Sequence, residues 1–330
     1  MNDPVLGFFH RWVEKFSGHY EKITVIALGV GAYHLPANIK VLSLGKEAGR
    51  SRLKYILNFY RYIWEERKNY DVVFVHMNQE YVLLGWKLWR VLGKKIWFWR
   101  NHPRGSMLTD LAVWMSDRVF CTSKYSYTAR FKKTEIMPVG IDTELFVRKP
   151  EIKRVKNSIL SLGRIAPIKN IDLLIEALNI LNKEKFNFNA AIIGDAKKED
   201  ARYLDLIKSK VSEYGLEQRV HFKGAVPPRE ITDIYNSYEL FVNLTPTGSM
   251  DKTIFEAMAC ESMVLTSNQS LRGLIDNTFV VNENNAISLA SNIEYILSLT
   301  ESEKDKFGKD MRIFAVKDHG LDKLIDKLSK

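Results

Sequence analysis

The pattern of apolar and polar positions predicts strands that alternate with helices in residues 1–150. Apolar runs predict strands at 22–28, 39–43, 71–75, 95–99 and 118–122. A first helix is expected to begin at Asp3 and Pro4 and to end at Gly18. Helical periodicity predicts further helices at 51–68, 79–92, 107–116 and 124–131. Continuous apolar strands separated by helices are typical of a parallel sheet that is covered on both faces.

The same alternation resumes after a charged segment at 146–156, which contains a proline and has no periodicity. Strands are predicted at 158–162, 189–193, 219–223, 239–243, 262–266 and 278–281. Helices are predicted at 170–184, 199–214, 228–236, 253–260, 285–299, 302–315 and 319–329. We therefore predict an α/β protein with two doubly wound domains, residues 1–150 and 151–330, which face a ligand-binding cleft. The last helix, about 317–330, is expected to pack back on the first domain.

Composition describes an ordinary globular chain whose charge is uneven. Of 330 residues, 46% are hydrophobic and 27% are charged, and the two cysteines lack metal-site spacing, which favours reduced thiols in a cytoplasmic protein. Residues 1–150 contain 24 Lys and Arg against 13 Asp and Glu, or +11, and residues 151–330 contain 25 against 26, or −1. Such a basic half attracts nucleic acid, an acidic membrane surface or a phosphorylated substrate, or is a basic solvated surface without a partner.

The first candidate for chemistry is a cationic turn between a strand and a helix. Gly163 and Arg164 end the strand at 158–162, and Lys169 lies just before the helix at 170. An arginine fork and a lysine point charge can together neutralise a diphosphate. A Gly-Arg turn on its own is common, so the assignment depends on a second motif.

That second motif runs from Thr247 to Ala259. Gly248 and Ser249 are small residues that leave backbone N–H groups free at a helix start, which favours an anion. Glu256 is flanked by Phe255 and Met258, so a buried, hydrogen-bonded carboxylate that holds ribose hydroxyls is favoured over a solvated one.

Histidines and missing motifs narrow the alternatives. His76 and His102 follow predicted strands, where functional groups concentrate, and a structural role is the alternative for each. No Asp-x-Asp pair occurs, so no metal site that clamps a diphosphate is expected. The chain has no phosphate-binding Gly-x-x-x-x-Gly-Lys-Ser/Thr loop, and Gly29-Val-Gly31 does not open a helix.

With these motifs the chain resembles the retaining glycosyltransferases of family 4, which have the GT-B fold of two Rossmann-like domains. The segment 137–146 is similar to the family's turn after the first domain, and 221–226 to its nucleobase-binding strand and turn. Gly163, Arg164 and Lys169 resemble the diphosphate-binding set, and 256–259 resembles half of the paired-glutamate motif. His102 stands where the family has a histidine that faces the transferred sugar.

The resemblance implies a retaining transfer of a hexose from a nucleoside diphosphate sugar to a hydroxyl of a glycan or a lipid-linked acceptor. It implies no metal and no cofactor other than the donor substrate. Nucleic-acid binding would explain the charge of the first half, but the chain has no recognisable nucleic-acid-binding module, so no nucleic acid is expected. His102, Arg164 and Lys169 are the implied catalytic residues. The implied donor-binding residues are Gly163, Lys223, Val226, Gly248, Ser249, Met250, Asp251, Lys252 and Glu256.

Three departures from the family keep alternatives open. Gly248 stands where the family has its first motif glutamate, and Val139 replaces a frequent asparagine. The first domain is expected to lack its first strand, which would leave an apolar slot with unpaired backbone groups. A non-catalytic or truncated nucleotide-sugar-binding relative is therefore the main alternative. A sugar epimerase of the same architecture is a weaker one.

The aromatic and basic segment 81–92 has two interpretations. Its position between two predicted strands favours a core helix. Alternatively, the segment rests on an anionic membrane surface at the inner face of the membrane, where a lipid-linked acceptor would lie.

Overall fold

The structure, a computed structural model, describes residues 7–282 and 285–329 and divides into two compact units. The first unit contains the residues up to 137 together with 325–329, and the second contains 138–324. The division precedes the predicted boundary at 150 because residues after 137 bond to the second unit. The N–H groups of Gly140 and Ile141 donate to the carbonyl of His319, and Arg148 donates to Asn236 Oδ1 at 3.0 Å.

The first unit contains parallel strands and the helices that connect them. Its helices are α1 (Gly7–Phe16), α2 (Arg52–Glu65), α3 (Gln79–Val91) and α4 (Met107–Met115). Its strands are β1 (Ile23–Ala27), β2 (Ile39–Ser43), β3 (Val72–His76), β4 (Lys95–Trp99), β5 (Arg118–Cys121) and β6 (Thr134–Ile136). They form a β1-β2 pair and a β3-β4-β5-β6 sheet, all parallel. Within the described ranges, β1 pairs only with β2 and β3 only with β4; the absence of a first strand stays a prediction.

The helix predicted at 124–131 is wrong. Only a single 3-10 turn, Tyr127–Arg130, forms there. The hydroxyl of Ser123 accepts a hydrogen bond from the N–H of Tyr125, and the N–H of Tyr127 donates to the carbonyl of His102. These bonds replace those of a helix, which is the usual effect of serine on local backbone pairing.

The second unit is built around one parallel sheet with the order β11-β10-β7-β8-β9. Its strands are β7 (Val155–Leu162), β8 (Asn189–Ile193), β9 (Val220–Phe222), β10 (Tyr238–Asn243) and β11 (Met263–Thr266). Its helices are α5 (Ile171–Lys183), α6 (Ala201–Glu213), α7 (Ile231–Ser237), α8 (Lys252–Ala259), α9 (Ala286–Ser298), α10 (Glu301–His319) and the start of α11 (Leu321–Leu328). The predicted strand at 278–281 is wrong, since Asn277–Phe279 is a 3-10 turn and Val280 makes one isolated bridge to Thr266. In neither described range is a helix long and apolar enough to cross a bilayer.

His319, at the end of α10, anchors the turn at 139–141. Its carbonyl accepts from two N–H groups of that turn, and its ring lies 4.2 Å from the ring of Phe255 and 5.1 Å from that of Phe314, centroid to centroid. Burial lowers the pKa of His319 to about 4, although Asp318 acts in the opposite direction. The imidazole is therefore neutral in the folded protein at neutral pH.

This burial predicts an acid-sensitive fold. Between pH 6.5 and about 4 the unfolded chain protonates His319 and the folded one does not, so stability falls as pH falls. The two pKa values together correspond to a loss of about 3 kcal/mol in the free energy of unfolding. Urea unfolding at a series of pH values should show a smaller loss for His319→Gln than for the wild type. Equal pH dependence in the two proteins would contradict the assignment.

Candidate functional site

A pocket lies at the carboxyl ends of β7 and β10, which are neighbours in the sheet of the second unit. Its volume is about 280 Å³, part of it open to solvent. Its lining residues are Ser161, Leu162, Gly163, Arg164, Lys169, Ile171, Ile192, Val242, Asn243 and Leu244. Ligands of doubly wound sheets bind at this edge, so the pocket is the candidate site, and it contains three residues of the predicted set.

Three glycines lie after the strands at this edge of the sheet. Gly163, Gly194 and Gly224 follow β7, β8 and β9 with φ values of 138°, 141° and 66°, a region that side chains disfavour. Gly163 N donates to Ile193 O at 3.0 Å, and Gly194 N donates to Gly224 O at 2.8 Å. A Cβ on Gly194 would lie 1.9 Å from Gly163 O. Gly194 was not singled out from the sequence, although a glycine directly after an apolar strand is a pattern that could have indicated it.

Lys169 is held by a polar cluster rather than being free in the pocket. Its Nζ forms an ion pair with Asp251 Oδ2 and donates to Thr245 Oγ1 at 3.1 Å. Asp251 Oδ2 also accepts from Asn243 Nδ2 at 3.1 Å and from Thr245 Oγ1 at 3.2 Å. Asn243 and Thr245 were not singled out from the sequence. The cluster joins the loop after β7 to the loop after β10.

The electrostatics of the pocket are cationic. Burial would raise the pKa of Asp251, but the ammonium of Lys169 and hydrogen bonds from Lys169, Asn243 and Thr253 outweigh it and hold the pKa at about 2. Asp251 is thus ionised and compensates Lys169. Arg164 is exposed, and across 7–282 and 285–329 its guanidinium has no ion pair or hydrogen bond. Its positive charge is available to an anion.

Helix α8 begins at this cluster. Asp251 is its N-cap and accepts from the N–H of Thr253 through Oδ1 at 3.2 Å. Lys252 Nζ donates to the carbonyls of Val139 and Gly140 at 3.2 and 3.1 Å, which ties α8 to the turn at 139–141.

Glu256 is half-buried, whereas the sequence predicted a buried acid from its apolar neighbours. Its Oε2 accepts from the hydroxyl of Tyr235 at 3.2 Å. Burial raises the pKa of Glu256, against the opposing charge of Lys252, and burial likewise lowers the pKa of Lys252. Tyr235 gave no signal in the sequence, because a buried tyrosine looks like any other core residue.

The loop before α8 carries Gly248, Ser249 and Met250. Gly248 is buried with φ 143°, Ser249 O accepts from Asn268 Nδ2 at 2.7 Å, and Met250 packs against the core. The N–H of Gln269 donates to Thr247 Oγ1 at 2.9 Å. The loop after β11 therefore fixes the loop that precedes the helix.

Two predicted residues lie after β9. Lys223 is exposed and its Nζ donates to Tyr238 Oη at 3.1 Å, whereas Val226 is half-buried against the core. The N–H of Ala225 donates to Asp195 Oδ1 at 3.2 Å, which links this turn to the end of β8. Asp195 was another residue that the sequence did not single out.

His102 belongs to the first unit and is exposed in the loop after β4. Its Nδ1 lies 3.0 Å from the N–H nitrogen of Arg104 and 2.8 Å from the carbonyl oxygen of Arg104. The segment 81–92 forms most of α3, where Val82, Gly85 and Trp89 are buried and Lys87 and Arg90 are exposed. The core-helix interpretation therefore describes the inner face of α3.

Carboxylate, imidazole and thiol groups are scattered in the described ranges. No group of three or more of them is placed to hold a metal ion there. Independence of metal ions stays a prediction.

The sequence pattern of the glycosyl transferases group 1 matches residues 142–312, more than half of the chain, and the chain belongs to this family. It is 29% identical to mannosylfructose-phosphate synthase of Agrobacterium fabrum over 145 residues, 40% of this chain and 32% of that protein. It is 25% identical to alpha-monoglucosyldiacylglycerol synthase of Streptococcus pneumoniae over 182 residues, 49% of this chain and 40% of that protein. An uncharacterized glycosyltransferase of Haemophilus influenzae is 22% identical over 226 residues, 66% of this chain and 61% of that protein. The chain thus spans from about a third to three fifths of these relatives.

Solved structures give the fold. HepE of Anabaena, in complex with UDP, superposes with a TM-score of 0.81 at 16% identity over 99% of this chain and 96% of that one. Sucrose-phosphate synthase of Thermosynechococcus elongatus gives 0.80 at 16% identity over 97% and 90%. The fold is that of the GT-B glycosyltransferases, which confirms the predicted fold class.

The close approach of Gly194 to Gly163 predicts unequal effects of two alanine substitutions. Gly163 and Gly194 have φ values of 138° and 141°, but a Cβ at Gly163 meets nothing within 4 Å. Gly163→Ala should cost roughly 1–3 kcal/mol of stability through backbone strain alone. Gly194→Ala adds a backbone collision and should cost clearly more in urea unfolding. Equal losses for the matched pair would contradict the geometry.

Proposed function

We propose that this chain transfers a hexose from a nucleoside diphosphate sugar to a hydroxyl acceptor, with retention of configuration and without a metal ion. The observation that carries the proposal is the pocket after β7 and β10. There an unpaired Arg164 and a positioned Lys169 lie beside the N-terminus of α8. Such a site suits a diphosphate, because guanidinium, ammonium and backbone N–H groups all favour negative charge.

The proposed mechanism assigns separate tasks to the two cations. Arg164 binds the diphosphate through its fork of donors, and Lys169 neutralises the charge that grows as the diphosphate leaves. Asp251 acts as a positioning residue, because its ionised carboxylate fixes the ammonium. Lysine without such a partner would lose rotamer freedom when it binds the donor.

Other residues would recognise the sugars of the donor. Glu256 is proposed to accept hydrogen bonds from the ribose hydroxyls, and Gly248 and Ser249 to face the hexose. His102 is proposed to hydrogen-bond a hydroxyl of the hexose or stabilise its oxocarbenium-like state. The departing phosphate would take the proton of the attacking hydroxyl, so that the acceptor attacks from the leaving-group side.

Comparisons with relatives support the donor and one kind of acceptor. HepE was solved with UDP-glucose, so we take UDP-glucose as the first donor to test. The name of the Streptococcus pneumoniae relative denotes a glucosylated diacylglycerol, which supports a lipid-linked acceptor beside a glycan. Both cysteines are buried free thiols, in keeping with the proposed cytoplasmic location.

A second candidate is a nucleotide-sugar-binding protein without transfer activity. Gly248 favours it, since the family's first motif glutamate is missing there. The intact set of Arg164, Lys169 and Glu256 favours the enzyme. Both candidates predict donor binding, and only the enzyme predicts turnover.

Substitution of the pocket cations tests the proposal. Uridine, guanosine and adenosine diphosphate sugars are screened by thermal shift, and the best ligand is then titrated against variants by calorimetry. Lys169→Met and Arg164→Ala should weaken binding. With an acceptor, Lys169→Met should also lower kcat by about 10²–10³, the scale for one lost electrostatic donor.

A matched control is Lys306→Met, which removes an exposed lysine of α10 and should leave binding unchanged. Unaltered donor affinity in Lys169→Met and Arg164→Ala would refute the proposed pocket. Normal binding without hydrolysis or transfer for any donor would favour the non-catalytic candidate.

A further inference from the structure

The outward side of α2 is apolar, although its inward side already packs on the core. Residues on the inward side are buried: Asn58, Phe59, Tyr62 and Ile63. Large side chains on the outward side are exposed by 37–67% of their surface: Leu53, Ile56, Leu57, Tyr60 and Trp64. Their spacing of three, four, seven and eleven residues places them in one stripe. An ordinary surface helix has polar residues on its outward side. The apolar stripe therefore indicates that this side of α2 contacts another surface.

Helices α3 and α4 extend this stripe into a broader surface. Met107, Leu108, Leu111 and Trp114 are exposed on one side of α4. Tyr60 Oη donates to Leu84 O in α3 at 2.8 Å, and the ring centroids of Trp86 and Trp114 are 5.7 Å apart. The exposed side chains of α2, α3 and α4, which we call the outer helical face, therefore lie on neighbouring helices. Large exposed apolar surfaces mark interaction sites.

Positive charge accompanies the apolar side chains of the outer helical face. Lys54 and Arg61 flank the stripe of α2, Arg61 in an ion pair with Glu65 at 3.7 Å; Lys68 lies three residues beyond the end of α2, and Lys87 is exposed on α3. Within the ranges that the structure covers, Lys54, Lys68 and Lys87 form no ion pair. Residues 1–150, which contain these helices, have the net charge of +11 given above. The face therefore combines exposed tryptophan and leucine with unpaired lysine.

That combination favours a lipid surface over a protein. Protein interfaces are depleted in lysine, and a second copy of this chain would bring the same positive charge against it. Tryptophan and tyrosine favour the boundary between headgroups and acyl chains, and lysine is attracted to anionic headgroups. We infer that the outer helical face docks on an anionic phospholipid bilayer, in the peripheral manner of an amphipathic helix. Docking stands independently of the proposed transfer reaction.

Vesicle co-sedimentation of the full chain tests this docking. The wild type should bind vesicles that contain phosphatidylglycerol, bind those of phosphatidylcholine alone much more weakly, and lose affinity as salt is raised. The double variant Lys54→Gln with Lys68→Gln should bind about thirtyfold more weakly, at roughly fivefold for each lysine. The double variant Leu57→Ser with Trp64→Ser should lose at least about tenfold, because its apolar insertion is removed.

The matched control is the double variant Ile287→Ser with Ile313→Ser, which changes two similarly exposed apolar residues of the second unit and should bind like the wild type. Light scattering with size exclusion reports the oligomeric state of each protein. No binding of the wild type to phosphatidylglycerol vesicles would overturn docking. So would a wild-type dimer that becomes monomeric in Leu57→Ser with Trp64→Ser without any vesicle binding, since the face would then contact a second copy.

Discussion

The ion pair between Lys169 and Asp251 is the contact on which the geometry of the pocket depends. Lys169 follows β7 and Asp251 caps the helix that follows β10, so one contact joins the loops after two neighbouring strands. Asn243 and Thr245 bond to the same carboxylate oxygen, which fixes the carboxylate that holds the ammonium. A cation fixed in advance is more effective against a developing charge than one that must first be ordered.

Much of the second unit could be predicted, because buried parallel strands are continuous apolar runs with a change of composition at their ends. Strands β8 and β10 were predicted within a residue, and Gly163 and Arg164 follow β7 as the sequence indicated. The helix neighbours of Glu256 are buried, but Glu256 itself is only half-buried. The GT-B fold followed from the alternation of elements together with the family motifs.

Pairings across long sequence separations could not be predicted. Lys169 and Asp251 are 82 residues apart, and only the order of strands in the sheet makes them neighbours. The helix that was wrongly predicted at 124–131 shows that local hydrogen bonds can also be missed. There the side chain of a serine bonds to the backbone and competes with the helical pattern. For α2, periodicity predicted a helix but not its outward side, since both sides of the helix are apolar.

The pairing of β1 and β3 on one side only has a consequence for how the first unit behaves in concentrated solution. Within residues 7–282 and 285–329, each of these strands has one edge whose N–H and C=O groups find no strand partner. Such edges are templates for intermolecular pairing, and β-branched residues such as Val72 and Val73 strengthen it. These two strands are therefore among the edges from which aggregation can start, and charged or proline substitutions along them are a route to a better-behaved sample.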